Sequence, residues 1–321
     1  MTMSDMSGTI VAEQHESVEH GGSRPRIVVG VDGSADSVAA LRAGAWAAAV
    51  RGGTLTAVTA WTAPLVYGKA PTVVPDLEEA AEATLRRAIE EAFHGNRLVP
   101  LGAIVREGTA AGALVAESQE ADLLVVGSRG HGGFPGLLLG SVSMACTMHA
   151  RCPVLVMHTG DALTEAQESP SGARVVVGVG EGPASVEVVR TAAAVAVELD
   201  AELLAVGAFR YPVLGRSPDA FADPWDDERA RAQRDLEQRV AEALLEGRPR
   251  SLRTELREGP AAAVLVDASR TADLVVVGRQ GRSELAGLLL GSVSMPVAEH
   301  ADCPVLVVPV PPTRSRPASR P

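Results

Sequence analysis

Residues 127–141 of the chain read Gly-Ser-Arg-Gly-His-Gly-Gly-Phe-Pro-Gly-Leu-Leu-Leu-Gly-Ser, directly after the apolar run 123–126. The pattern returns 151 residues later, where Gly278-Arg279-Gln280-Gly281 is followed, after nine residues, by Gly291-Ser292. The stretch Gly-Leu-Leu-Leu-Gly-Ser-Val-Ser-Met is identical in the two copies, at 136–144 and 287–295. The chain is therefore an internal duplication, and we expect two domains of the same kind.

Each copy has the spacing of a glycine-rich loop that ends at a helix N-terminus. Gly127 and Gly130 allow the backbone to approach a ligand closely. The first N–H groups of a helix beginning at Gly140-Ser141 lack intrahelical acceptors and carry the positive end of the dipole, so they favour an anion. The hydroxyls of Ser141 and Ser143 add donors. A long structural turn is the alternative, but the repeated spacing favours a nucleotide phosphate site.

Composition excludes several classes of protein. The formal net charge of −11 argues against a nucleic-acid surface. No apolar run approaches the roughly 18 residues needed to cross a membrane, and residues 1–22 lack the apolar core of a signal peptide. Three cysteines build no disulfide framework, so we expect a cytoplasmic protein. Lys69 is the only lysine and follows no glycine-rich loop, which excludes P-loop phosphoryl transfer.

Hydrophobic runs and turn residues predict alternating strands and helices in both halves. The first half has predicted strands at 27–31, 54–60, 98–105, 122–126 and 153–157, and predicted helices at 35–51, 76–94, 108–119 and 141–149. Ser34 is the expected N-cap of its first helix. The second half has predicted strands at 174–179, 201–208, 250–257, 272–277 and 304–308, and predicted helices at 184–199, 225–246, 260–270 and 292–300.

This alternation predicts an α/β fold with two tandem domains. Each is expected to be a five-stranded parallel sheet of order 3-2-1-4-5 with helices on both faces. The predicted parts are a disordered leader (1–24), the first nucleotide-binding domain (25–158), a linker (159–173), the second (174–309) and a disordered tail (310–321). Ligands of such folds bind where strand order reverses. Asp32 and Gly33 after strand one, and Gly127 after strand four, should therefore flank one pocket.

Three motifs together resemble the universal stress protein family in its tandem form. They are Val-Gly-Val-Asp-Gly-Ser at 29–34, Gly-x2-Gly-x9-Gly-Ser at 127–141 and His-Ala-x-Cys-Pro-Val-Leu-Val at 149–156, and the last two recur in the second half. The resemblance covers nearly all of the chain except its tails. It implies an adenine-nucleotide-binding fold linked to stress survival, growth arrest and persistence. The implied ligand is ATP, with Mg²⁺ as an accompanying ion and ADP or AMP as alternatives.

The resemblance also implies where the nucleotide contacts lie. Phosphate contacts fall on Gly127, Arg129, Gly130, Gly140, Ser141 and Val142, and the adenosine end falls on Asp32 and on Val58 to Ala60. The corresponding candidates in the second copy are Gly180, Gly278, Arg279, Gly281, Gly291, Ser292, Val293 and Ser294. That copy departs from the pattern, because Gly180 stands where Asp32 stands and Gln280 replaces Arg129. We therefore expect unequal sites.

We expect neither a catalytic residue nor a metal site. His149 with Cys152, and His300 with Cys303, supply two candidate ligands per copy, whereas zinc needs about three or four. A histidine facing the negative end of a helix dipole, and cysteines packed in the core, are the preferred interpretations. Asp32 is interpreted as a ligand contact, with a turn residue or helix cap as the alternative.

Three functions are compatible with these features. The preferred one is an ATP-binding stress and regulatory protein without efficient turnover, although slow hydrolysis stays open. An ATP-pyrophosphatase-like enzyme is an alternative, because Asp32-Gly33-Ser34-Ala35-Asp36-Ser37 faintly resembles the pyrophosphate loop of that class. A scaffold with vestigial sites is the third. The expected partners are an adenine nucleotide and no nucleic acid or membrane. The two halves are expected to pair as a pseudo-dimer through their last strands, and a further homo-oligomer is compatible with this.

Overall fold

The computed structural model describes residues 24–63, 76–96, 99–131, 138–158, 172–210, 226–244, 249–280 and 291–310. The chain divides into two compact units, residues 1–161 and 162–321. The predicted leader, linker and tail lie outside the described residues, apart from residues 24, 172–173 and 310. The loop glycines of 132–136 and Gly281 also lie outside them.

The first unit alternates strands and helices. Its strands are β1 (Arg26–Gly30), β2 (Thr54–Trp61), β3 (Leu101–Glu107), β4 (Leu123–Gly127) and β5 (Val154–Met157). Its helices are α1 (Ala35–Val50), α2 (Leu77–Phe93), α3 (Ala110–Glu117) and α4 (Ser141–His149). The predicted cap is confirmed, because the Ser34 side chain accepts from Ser37 N–H at the start of α1.

The second unit repeats this order. Its strands are β6 (Arg174–Gly178), β7 (Glu202–Phe209), β8 (Ser251–Glu258), β9 (Leu274–Gln280) and β10 (Val305–Val310). Its helices are α5 (Ala184–Glu198), α6 (Asp226–Ala243), α7 (Ala261–Ser269) and α8 (Ser294–His300). Among the described residues, no helix has the length and apolar character needed to span a bilayer.

The predicted α/β class and strand order are confirmed within each unit. In the first unit β1 pairs in parallel with β2 and β4, β2 with β3, and β4 with β5. In the second unit β6 pairs in parallel with β7 and β9, β7 with β8, and β9 with β10. Both units therefore have the order 3-2-1-4-5. Val28, Val125, Val176 and Val276 at the strand centres are fully buried, as expected for strands covered on both faces.

Most predicted boundaries lie within about two residues of the observed ones. In the first unit the strand predicted from residue 98 begins at Leu101, and two further differences lie in the second unit. The predicted strand at 272–277 is observed as β9, which continues to Gln280 by pairing with Val308–Val310 of β10. The helix predicted from residue 292 begins at Ser294 instead. Pro296 explains the later start. In a helix beginning at residue 292 it would lie at the fifth position, where the missing N–H and the ring both disrupt the helix.

Candidate functional site

A cavity of about 430 Å³ lies at the carboxyl ends of the strands of the first unit. Its walls come from the segments that follow β1 and β4, which are neighbours in the sheet, and from the end of β2. This is the point of reversed strand order, where ligands of doubly wound sheets bind. The lining residues are Gly30, Val31, Asp32, Ser37, Val58, Thr59, Ala60, Ala110, Ala113, Leu114, Val126, Gly127, Arg129, Gly130, Gly140, Ser141, Val142 and Ser143.

The structure brings together most of the residues that the sequence singled out in the first half. Asp32, Val58, Ala60, Gly127, Arg129, Gly130, Gly140, Ser141, Val142 and Ser143 all line the cavity. Gly33 is placed differently. It lies in the turn after β1 with φ of 84°, and its N–H donates to Ser37 Oγ at 3.2 Å. Its left-handed conformation is one that glycine adopts without strain, so its part in the site is to shape the turn.

One side of the cavity is apolar. Val31, Val58, Leu114 and Val126 are buried residues that contribute to its lining. Leu114 on α3 approaches β1 closely, because a side chain at Gly30 would meet Leu114 Cδ1 at 2.7 Å. Sequence reasoning predicted this helix at 108–119 but did not assign it to the site. Apolar side chains of this kind can pack against the face of an aromatic ring.

The N-terminus of α4 also lines the cavity. Its first helical hydrogen bond runs from Met144 N–H to Gly140 O at 2.9 Å. The amides of residues 141–143 precede that bond, so they have no acceptor within the helix. They also carry the positive end of the helix dipole. This side of the cavity therefore suits an anionic group such as a phosphate.

The neck of the 127–141 loop is closed by hydrogen bonds. Gly140 N–H donates to Ser128 O at 2.7 Å, and Ser128 N–H donates to Met157 O at 2.6 Å. The Ser143 hydroxyl, which the sequence suggested as a ligand donor, donates to Gly127 O at 2.6 Å and is buried. Its role in the structure is to join the end of β4 to the first turn of α4.

Asp36 is a residue of this region that sequence reasoning did not assign to the site. It lies in the first turn of α1 and is only 6% exposed. Its Oδ2 accepts hydrogen bonds from Ser128 Oγ and from Arg129 N–H, each at 3.1 Å. The available signal was an acidic residue one position inside an Ala-rich helix. That signal is weak, because acids are common in first turns.

Asp32 links the turn after β1 to the glycine loop. Its carboxylate accepts from Ser34 N–H at 3.0 Å, from Ser34 Oγ at 2.6 Å and from His131 N–H at 3.0 Å. Burial raises the pKa of Asp32, but the hydrogen bonds from Ser34 and His131 outweigh it and hold the pKa below its ordinary value. The side chain is still 45% exposed, so its other lone pairs can reach a ligand.

The second unit places its candidate residues differently. Gly278 and Arg279 lie within β9 rather than in a loop. Gly291, Ser292 and Val293 precede α8, whose first residue is Ser294. Gly180 follows β6, and its carbonyl accepts from Ser185 Oγ at 2.6 Å. The described residues thus carry the same glycines in a different backbone arrangement.

His149 with Cys152, and His300 with Cys303, are the two pairs that the sequence offers as metal ligands. His149 and His300 stand in the last turns of α4 and α8. Cys152 is buried, and burial raises the pKa of the Cys303 thiol to about 12, so that thiol is protonated at neutral pH. Within the described ranges, no group of three or more His, Cys, Asp or Glu side chains could hold a metal ion.

Comparisons with known proteins agree with the motifs. The model of the universal stress protein family matches residues 24–158 and 173–309. A universal stress protein of Mycobacterium tuberculosis is 34% identical over 301 residues, which are 89% of this chain and 98% of that protein. One from Mycolicibacterium smegmatis is 30% identical over 292 residues, covering 88% and 96%. The solved structure of a universal stress protein from Archaeoglobus fulgidus, 18% identical, has a TM-score of 0.62 over 90% of this chain and 97% of that one.

Proposed function

The chain belongs to the universal stress protein family, and from that premise we propose that its first unit binds ATP and acts in stress survival without efficient turnover. The observation that carries the proposal is one cavity of about 430 Å³ whose lining includes both buried apolar side chains and the N-terminus of α4. Its volume lies within the roughly 300–1,000 Å³ typical of small-molecule pockets.

The apolar and the anion-binding parts of the cavity lining suit the base and the phosphates of a nucleotide. We assign the adenine ring to the apolar wall of Val31, Val58 and Leu114. We assign the ribose to Asp32, whose ionised carboxylate can accept hydrogen bonds from hydroxyl groups. We assign the phosphates to the amides of residues 141–143 and to Arg129, because a guanidinium and a helix N-terminus both favour phosphate oxygens.

The ionisable side chains argue against rapid hydrolysis. Among the described residues that line the cavity, Asp32 and Arg129 are the two with ionisable side chains. The lowered pKa of Asp32 makes it a weak general base, because efficient proton transfer needs a pKa near the working pH. We therefore propose a binding protein rather than an enzyme. From its cysteine content we also propose that it is cytoplasmic. Any Mg²⁺ would be held chiefly by the phosphates of ATP.

The test is to identify the resident nucleotide and then to measure its binding. The purified protein is denatured, and the released nucleotide is identified by mass and counted per chain. Calorimetry then measures ATP, ADP and AMP binding to the nucleotide-free protein, with and without Mg²⁺. Gly140→Val should abolish binding at the first site, because a side chain at Gly140 already meets Ser128 O at 3.3 Å before its methyl groups are added.

Gly102→Ala is the matched control, since a Cβ there would make an ordinary contact of 3.9 Å with Leu55 O. Failure of the wild type to bind any adenine nucleotide would contradict the proposal and support a scaffold with vestigial sites. Rapid hydrolysis of many ATP molecules per chain, measured by chromatography of the products, would contradict the absence of efficient turnover. Release of AMP or pyrophosphate with an acceptor would support the pyrophosphatase-like enzyme.

A further inference from the structure

The two copies of the glycine motif leave the sheet at different places. In the first unit the chain leaves β4 after Gly127, and Ser128 begins the loop. In the second unit the equivalent residues Gly278 and Arg279, together with Gln280, stay in β9 and pair with the end of β10. Since the glycines are the same, another residue must determine where the strand ends.

Asp36 provides the difference in the first unit. Its carboxylate faces the first two residues of the loop and accepts from Ser128 Oγ and Arg129 N–H at 3.1 Å each. The Arg129 N–H is thus directed toward α1. Gly127 is needed for this packing, because a side chain there would meet Asp36 Cβ at 2.6 Å. Asp36 therefore binds Ser128 and Arg129 at the point where β4 ends.

The second unit lacks both halves of this contact. Residues 26–37 and 174–185 align without a gap, and Ala184 occupies the place of Asp36. The alignment is supported by Ser37 and Ser185, whose hydroxyls donate to the backbone oxygens of Ser34 and Gly182, each three residues earlier. Arg279 occupies the place of Ser128. Here Gly278 packs against the apolar Val188 instead, since a side chain at Gly278 would meet Val188 Cγ2 at 2.7 Å.

We propose that Asp36 is a positioning residue that ends β4 at Gly127 and thereby holds the phosphate side of the first site in its binding shape. This inference rests on the proposed nucleotide binding. Asp36 is not among the residues that line the cavity, so it acts through Ser128 and Arg129 rather than by touching the ligand. Ser128 links this contact to α4, because its carbonyl oxygen accepts a hydrogen bond from the N–H of Gly140, the residue directly before the helix.

The chemistry of the contact predicts which substitutions matter. Both donors bond to the same oxygen, Oδ2, so an asparagine oxygen at that place can accept both hydrogen bonds. Asp36→Asn should therefore keep the loop in place, whereas Asp36→Ala removes both bonds. If the substitution affects the loop alone, it should weaken the binding of ATP, whose phosphates reach α4. The affinity for adenosine, which has no phosphate, should stay unchanged.

The experiment titrates ATP and adenosine into the full chain carrying Gly291→Val, so that the first site is measured. We expect Asp36→Ala to weaken ATP about tenfold or more while adenosine changes less than about twofold. Asp36→Asn should bind ATP as tightly as the parent or more tightly. Ser128→Ala loses one of the two hydrogen bonds, so its ATP affinity should lie between those of Asp36→Ala and Asp36→Asn. It supplies the same test if Asp36→Ala does not fold.

Amide hydrogen exchange of the nucleotide-free protein gives a readout without any ligand. The Arg129 amide should exchange faster in Asp36→Ala than in the parent, and Asp36→Asn should restore its protection. A parent that binds no ATP would overturn the proposed function and this inference together. If the parent binds ATP, three outcomes would overturn this inference alone. Asp36→Ala could bind ATP as tightly as the parent, it could lose affinity for ATP and adenosine to the same extent, or its affinities could equal those of Asp36→Asn.

Discussion

Gly130 is a position where even one added methyl group would disturb the first site. A Cβ at Gly130 would overlap Asp32 Oδ2, the oxygen that accepts from His131 N–H. We expect Gly130→Ala to fold, because the short Asp32 side chain can move away. The displaced carboxylate should lose its contacts with His131 and with a ribose, weakening ATP about tenfold at the first site by calorimetry.

Gly180→Ala is the control for Gly130→Ala. A Cβ there would lie 3.9 Å from Ser185 Oγ, an ordinary contact, so ATP affinity at the first site should not change. Unchanged ATP affinity in Gly130→Ala would show that Asp32 does not contact the nucleotide.

Single residues differed in how well their roles could be predicted. Asp32, Gly127 and Gly130 could be placed from the sequence, because each stands at or just after the end of a strand that must lie at the reversal of strand order. Asp36 could not be placed, since it bonds to Ser128, 92 positions away along the chain. Nothing in the local sequence shows which acid of a helix will be buried against a distant loop.

At the scale of secondary-structure elements, α3 is held to the sheet by a charged cluster. Glu117 at its C-terminal end accepts hydrogen bonds from Arg26 of β1 and from Arg106 of β3, and its side chain is 11% exposed. Burial raises the pKa of Glu117, but the two arginines outweigh it and lower the pKa from its ordinary value of 4.5. The cluster joins the helix that lines the cavity to two strands.

Glu117→Gln should therefore destabilise the first unit at neutral pH by about 1–3 kcal/mol. Because the pKa of Glu117 is lower in the folded than in the unfolded protein, its ionised form stabilises the fold at pH values above the ordinary pKa. This stabilisation is lost as the pH falls through the pKa of the folded state. The difference between wild type and variant should thus shrink in acid. Urea unfolding at several pH values measures it, with Glu120→Gln, an exposed position after α3, as control. A difference independent of pH would show that the arginines do not stabilise ionised Glu117.

The starts of α4 and α8 test the role of proline at equivalent positions. Pro296 stands where Ala145 stands in the first unit, and α8 begins two positions later in the repeat than α4. We expect Pro296→Ala to extend α8 back to Ser292, seen as helical chemical shifts at residues 292 and 293. Ala145→Pro should shorten α4 to Ser143 and weaken ATP, since the amides of Ser141 and Val142 leave the helix. Ala145→Ser is its control, and full ATP affinity in Ala145→Pro would contradict this role of α4.

At the scale of the whole molecule, the duplication made the fold predictable. The structural differences between the two units were harder to predict. Buried runs separated by helical segments allow few arrangements when crossovers are right-handed, so the strand order of both units followed from the sequence. The same glycine spacing predicted a loop after the fourth strand of each unit, and the exchanges of Asp32 for Gly180 and of Arg129 for Gln280 predicted unequal sites. The described segments on either side of the loops differ, and there Ala184 and Arg279 stand in place of Asp36 and Ser128, and Pro296 in place of Ala145. These exchanges act through contacts between segments far apart in the sequence, which motif spacing does not describe.

The differences between the two units predict unequal nucleotide sites. Only the first has a carboxylate at the position of Asp32, an arginine at that of Arg129 and the Asp36 contact that ends its strand. Each lost charged or hydrogen-bonded contact weakens binding by about 1–3 kcal/mol, so the first site should bind ATP at least about tenfold more tightly. Calorimetry on Gly291→Val and on Gly140→Val measures the first and the second site separately. In the second site Arg279 and Glu181 are the residues that could compensate, so Glu181→Gln should weaken that site alone. Equal affinities, or tighter binding in Gly140→Val than in Gly291→Val, would show that these residues replace what Asp32 and Arg129 supply.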